Sequence, residues 1–319
     1  MMSRLESWPE PIIRVQELSE SGIKEIPEHF VKLPEDRPNF METTSHVNNI
    51  PLIDLENIMK SSDESVQRET MELISGACRD WGFFQVVNHG ISHELMANAR
   101  GVWGKFFHLP LEEKQKFANC PVTYEGYGSR LGVVKGAKLD WCDYFFLHYL
   151  PEQLKDKNKW PTHHISCRQI IAEYGQEVVK LCERLMKILS INLGLAEDYL
   201  HKKFGGDNER GACLRVNFYP KCPQPDLTLG LSPHSIPVLS YAIYKSVEHR
   251  VIVNSSKERI SLAFFYNPGG DILIKPADEL VTEDQSALYS PITFNEYRTF
   301  IRTKGPCGKS QVESLKSPR

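Results

Sequence analysis

Residues 229–253 read LGLSPHSIPVLSYAIYKSVEHRVIV, and this stretch decides how the C-terminal half of the chain is understood. His234 follows a proline in loop-like text, and His249 sits in the strand-like run KSVEHRVIV between Glu248 and Arg250. Taken singly, each histidine is more often a surface or hydrogen-bonded structural residue than a ligand. Neutral imidazoles on adjoining strands of a small barrel can nevertheless converge on one divalent metal. A carboxylate on the same face then supplies the hard anionic oxygen that such a site needs. Two residues after His234, where that carboxylate is expected, stands Ile236.

Outward from this stretch, the composition is that of a soluble globular protein, with 41% apolar and 25% charged residues in 319. A chain of this length can bury one large core or two ordinary ones. The net charge of −3 gives no electrostatic argument for nucleic acid or an anionic membrane. No apolar run approaches the roughly 20 residues of a membrane helix. The start, MMSRLESWPEPIIRV, has no uninterrupted apolar core of a signal peptide. Eight cysteines are scattered without a C-x-x-C pair, which fits a reducing compartment, and a cytoplasmic location is expected.

Residues 1–48 are polar and punctuated by proline, and read as an arm of short helix and extended chain packed over the body. The run 49–57 alternates like a short strand. Residues 61–82 carry Ser and Asp at the start, apolar residues on one face, and Gly82 past the end, as a helix should. A strand is expected over 83–91, helices over 93–109 and 111–118, an aromatic strand over 142–151 and a long helix over 171–195. The glycine-rich 204–212 is a candidate domain boundary. Strands are expected over 213–220, 245–254, 258–267 and 271–277. Thr293 and Glu296 form a capping-box pair that opens a last helix. Helices first and strands later point to an α+β chain with a β-rich C-terminal barrel or sandwich.

Two further groups could carry chemistry. Arg259 and Ser261 face the same way on a strand, and a guanidinium with a hydroxyl is a good clamp for a carboxylate. Arg298 and Arg302 share a helix face, where like charges repel unless solvent or an anion lies between them. Surface arginines are the plainer reading of both.

The order of these features resembles the plant iron(II)/2-oxoglutarate-dependent dioxygenases, and within them the jasmonate-induced oxygenases, which are often labelled leucoanthocyanidin-dioxygenase-like. IPLIDL (50–55), GFFQVVNHGI (82–91), TYEGYGSRLG (123–132), LDWCDYFFLH (139–148) and LRVNFYPKCPQP (214–225) carry the resemblance in the N-terminal and entry-strand regions. LGLSPHS (229–235), YKSVEHRVIVNSSKERISLAFFYNP (244–268) and YRTFIRTKGPCGKSQVESLKSPR (297–319) carry it beyond. The resemblance implies a helical N-terminal dioxygenase domain over 49–205, after the arm of 1–48. A double-stranded β-helix (jelly-roll) core over 206–304 and a tail over 305–319 would follow. It implies His234 and His249 as iron ligands, and Arg259, Ser261, Tyr219 and Asn217 around 2-oxoglutarate. Arg215, Arg298 and Arg302 would hold the substrate carboxylate. The implied cofactors are Fe²⁺, 2-oxoglutarate and O₂ as cosubstrates, and ascorbate as reductant. A small-molecule acid is the implied partner, with no nucleic acid, no membrane, and a monomeric state.

The departure from the family pattern lies at Ser235–Ile236. The family reads H-x-D and then a long stretch of barrel before its second histidine. Here His234-Ser235 runs straight into text that resembles the lead-in to that second histidine. Roughly 40 residues are absent as one block, enough for about four short strands with their turns. The core is therefore expected to be incomplete at 235/236, through exon skipping or a gene-model error, and the metal site to lack its carboxylate. Glu248 should point away from the face of His249, and Asp226 lies in a proline-flanked loop, so neither is a geometric substitute. Three functions stand side by side: hydroxylation of a small acid, jasmonic acid first; oxidation of a flavonoid; and a non-catalytic isoform.

Overall fold

A computed structural model describes residues 7–39, 50–234, 243–245, 247–275, 279 and 290–305. The arm carries α1 (Val15–Glu20) and is anchored, as its apolar residues demand. Val15 and Phe30 are fully buried against Trp141, Cys142, Tyr219, Cys222 and Val253. The free N–H groups that open α1 are satisfied from the body. Val15 and Gln16 donate to the Asp143 carboxylate at 2.9 and 3.1 Å, and the Tyr127 hydroxyl adds a third bond at 3.0 Å.

Strands β1 (Leu52–Asp54) and β2 (Gln85–Val87) pair in parallel, separated by α2 (Glu56–Lys60) and α3 (Glu64–Asp80). Asp63 caps α3 by accepting from the Ser65 N–H, and Ile74, Ala77 and Cys78 form its buried face. Gly82, at φ 78°, closes the helix where a Cβ would lie 2.6 Å from the Lys245 carbonyl. Lys245 in turn donates its N–H to Cys78 and its ammonium to Asp80, so a short C-terminal segment is tied to this helix. The strand expected over 83–91 is shorter because Asn88 turns into left-handed conformation at φ 50°.

Helices α4 (His93–Phe107), α5 (Leu111–Gln115) and α6 (Cys167–Asn192) follow, with α4 and α6 packed together. They cover one face of an antiparallel sheet made of β3 (Gly126–Gly128), β4 (Asp143–Leu150), β5 (Gly211–Tyr219) and β8 (Arg259–Asn267), in that order. Short helices α7 (Tyr199–Lys203) and α8 (Gly206–Glu209) precede β5, and α8 falls within the expected glycine-rich joint of 204–212. Strand periodicity sends Phe145, Leu147, Val216 and Phe218 to the helix side. There they join Trp103, Phe106 and Phe107 in the main core. Each such side chain contributes about 1.5–3 kcal/mol by leaving water.

A second, two-stranded sheet pairs β6 (Leu231–His234) with β7 (His249–Val251). The strand expected over 245–254 is thus only three residues, since β6 is its one partner among the described residues. Within the described part of the strand expected over 271–277, β9 covers Leu273–Ile274 and pairs with β10 (Ile292–Thr293), while 276 and 277 lie outside the described residues. Helix α9 (Phe294–Lys304) then opens on the capping box expected from sequence. Thr293 Oγ1 accepts from the Glu296 N–H, and Glu296 accepts from the Thr293 N–H at 2.8 Å. No helix among the described residues is long and apolar enough to cross a membrane.

Candidate active site

The face of the sheet away from the helices carries the polar residues. Period two places Tyr144, Phe146 and His148 of β4 beside Asn217, Arg215 and Cys213 of β5. Arg259 and Ser261 of β8 register with Tyr219 and Asn217. The four residues Arg259, Ser261, Tyr219 and Asn217 therefore lie together. The Arg259 guanidinium sits 5.4 Å from the Tyr219 ring centroid, and Asn217 donates to Ser261 Oγ at 3.4 Å. Arg259 is exposed.

The three other arginines also converge. Arg215 stacks over the Tyr144 ring at 4.0 Å and donates to Asn217 Oδ1 at 2.7 Å. Asn217 thereby bridges the two arginine groups, a link the spacing of the sequence does not reveal. From α9, Arg302 lies 5.3 Å from the Tyr124 ring and 5.9 Å from Phe146, while Arg298 donates to Asn295 Oδ1 at 2.7 Å. Burial pushes the Cys213 thiol up to about 11, against the opposing fields of Arg302, Arg298 and Arg215, so one sulfur feels all three cations. Burial lowers Arg302 to about 10, with Arg298 pushing the same way. A cleft lined by Ser129, Asp140, Tyr144, Arg215 and Ser232 leads from this cluster toward β6.

On β6 and β7, His234 and His249 are register partners with ring centroids 4.1 Å apart. The Nδ1 of His234 lies 3.0 Å from the Ser232 carbonyl, and that of His249 lies 3.3 Å from the Val247 carbonyl. Such bonds place the proton on Nδ1 and leave the Nε2 lone pair available, the arrangement that suits a metal ligand. Burial holds His234 below its ordinary value, and the adjacent His249 pushes the same way.

The donor set does not fit iron(II) fully. Among the described residues no group of three or more His, Cys, Asp or Glu side chains could hold a metal ion. Glu248 and Asp226 are both exposed. Asp140 reaches His234 electrostatically, but it is bound to the buried Lys32 ammonium at 2.8 Å and to Ser232 at 2.6 Å. This Lys32–Asp140–Ser232 group, built from three distant segments, escapes sequence reading. Ser235 and Ile236 lie outside the described residues.

Comparison with known proteins accords with this geometry. Residues 50–163 match the N-terminal model of the non-haem dioxygenase in morphine synthesis, and residues 235–268 match the 2OG-Fe(II) oxygenase superfamily. Jasmonate-induced oxygenase 3 of Arabidopsis thaliana is 51% identical, with all of both chains covered. The chain belongs to the 2OG-Fe(II) oxygenase family. Its members use Fe²⁺ and 2-oxoglutarate with O₂, and it is a family of oxidoreductases with a jelly-roll core. Leucoanthocyanidin dioxygenase of Malus domestica is more distant, at 34% identity over 89% of this chain and 93% of its own. The crystal structure of JOX2 in complex with 2OG, Fe and JA superposes with a TM-score of 0.88 at 50% identity. It covers 98% of this chain and 100% of that one. The alignment with jasmonate-induced oxygenase 3 spans 364 positions against 319 residues here, so part of that relative has no counterpart in this chain.

Proposed function

We propose that this chain carries the scaffold of a dioxygenase that hydroxylates a small carboxylic acid of the jasmonic acid class, with its metal site impaired. The observation that carries the substrate class is that Arg215 stacks on Tyr144 while Arg302, one helical turn from Arg298, lies against Tyr124 and against Phe146, the register partner of Arg215. Three cations against aromatic walls favour an anion with an apolar body. Likeness to a solved relative holding 2OG, Fe and JA supports the same reading. A neutral flavonoid would leave the three charges uncompensated.

The residues divide the work. Arg259 and Ser261, with Tyr219, would hold the distal carboxylate of 2-oxoglutarate, and Asn217 would fix Arg215 relative to that clamp. His234 and His249 would supply two imidazoles to iron, whose role when bound is to activate dioxygen. Ile236 offers no oxygen donor where the family pattern has a carboxylate. Loss of a mere supporting residue near a metal typically costs 10–100-fold in affinity or activity. Losing the one anionic ligand should cost more. The scattered thiols support a reducing compartment such as the cytosol.

Calorimetric titration of jasmonic acid and of 2-oxoglutarate tests the division without needing turnover. Arg298→Ala or Arg302→Ala should weaken the acid by about ten-fold or more and leave 2-oxoglutarate nearly unchanged. Arg259→Ala should do the reverse. If both arginine classes shifted the same ligand, the two clamps would not be separate.

A further inference from the structure

The main sheet ends on two unlike edges. At one end β3 is three residues long and wholly buried. At the other end β8 is nine residues long, RISLAFFYN, and pairs with β5 in unbroken register from Arg259 to Asn267. Among the described residues no strand lies beyond β8, and no other backbone hydrogen bond reaches it. Sheet proteins blunt such edges with charge, proline, bulges or short strands. Here β8 has one charge, at its first residue, and none of the other devices.

We propose that β8 is an interaction surface for a second copy of this chain, joined edge to edge by antiparallel pairing about a two-fold axis at Ala263. This departs from the monomer expected on sequence. The strand is self-complementary in that arrangement. Ile260 falls opposite Tyr266, Leu262 opposite Phe264, and Ala263 opposite itself, so apolar side chains meet apolar ones at these positions, while Ser261 falls opposite Phe265. Arg259 falls opposite Asn267, so the one charged residue does not face its own copy. The outward N–H and C=O groups of each β8 gain partners, and the two four-stranded sheets become one. Any shift of register brings Arg259 beside apolar residues or leaves part of the edge unpaired. The relative of 51% identity contains positions with no counterpart here, and the sequence places that missing block after Ser235, between β6 and β7.

Sedimentation velocity on the full chain should show a reversible dimer. Asn267→Glu places an acid opposite Arg259 twice per dimer and should tighten association by about three- to ten-fold, while Asn267→Arg should weaken it by a similar factor. Opposite signs at one position cannot come from general destabilisation. Ala263→Cys should form an intermolecular disulfide on mild oxidation, well above the level given by the native thiols, because facing residues in an antiparallel pair lie within bonding reach. A monomer at every concentration, or association that responds equally to both Asn267 variants and leaves Ala263→Cys uncrosslinked, would overturn the proposal.

Discussion

Glu125 and His148 show how single residues set the chemistry of the arginine pocket. Glu125 is 5% exposed, and its Oε1 accepts the His148 N–H at 3.1 Å. Burial raises its carboxyl to about 7, while the His148 bond, Lys159 and Arg302 pull the other way. Burial lowers His148 to about 4, and Arg302 and Arg298 push it further down. The two groups have opposite linkage. Stability from Glu125 is fully present below its ordinary 4.5 and is lost as pH rises through about 7. Stability from His148 is present above its ordinary 6.5 and is lost as pH falls through about 4. Glu125→Gln should therefore gain stability relative to the native chain between pH 5 and pH 8, on the order of 3 kcal/mol at 1.36 kcal/mol per unit. His148→Gln should gain in the opposite direction, toward acid pH. Urea midpoints at both pH values measure this, and a variant offset equal at both would refute the assignment. Neither residue stands out in the sequence. Their pairing depends on the approach of the β3 lead-in to β4, which no local pattern encodes.

Local pattern does better at the scale of elements. The Thr293–Glu296 box, the Asp63 cap and the shared face of Arg259 and Ser261 are short-range consequences of helix and strand geometry, and all are present. Strands 83–91 and 245–254 are overestimated because strand length depends on partners that lie far along the chain. The bridge from Arg215 through Asn217 to Ser261 is invisible for the same reason, being a product of the β5–β8 register. The cap of α9 matters to the proposed acid clamp, since that helix carries Arg298 and Arg302. Thr293→Ala should cost about 1 kcal/mol of stability and weaken acid binding with it. Thr293→Ser should restore both, because the hydroxyl is what accepts the Glu296 N–H. Thermal unfolding and acid titration of the two variants check this. Acid binding that stays intact in Thr293→Ala at full loss of the cap energy would separate the helix start from the clamp.

For the whole molecule, the arginine-bearing face and the histidine pair rest on different sheets. The four-stranded sheet with α9 brings the arginines together, whereas His234 and His249 depend on the short β6–β7 pair. A defect confined to the second sheet should therefore spare acid binding and abolish turnover. Aerobic succinate formation from 2-oxoglutarate, with iron(II), ascorbate and jasmonic acid, tests this most directly when the chain is compared with one carrying the missing block restored after Ser235. Negligible succinate is expected from the present chain and robust iron-dependent succinate from the restored one. Comparable rates from both would contradict this.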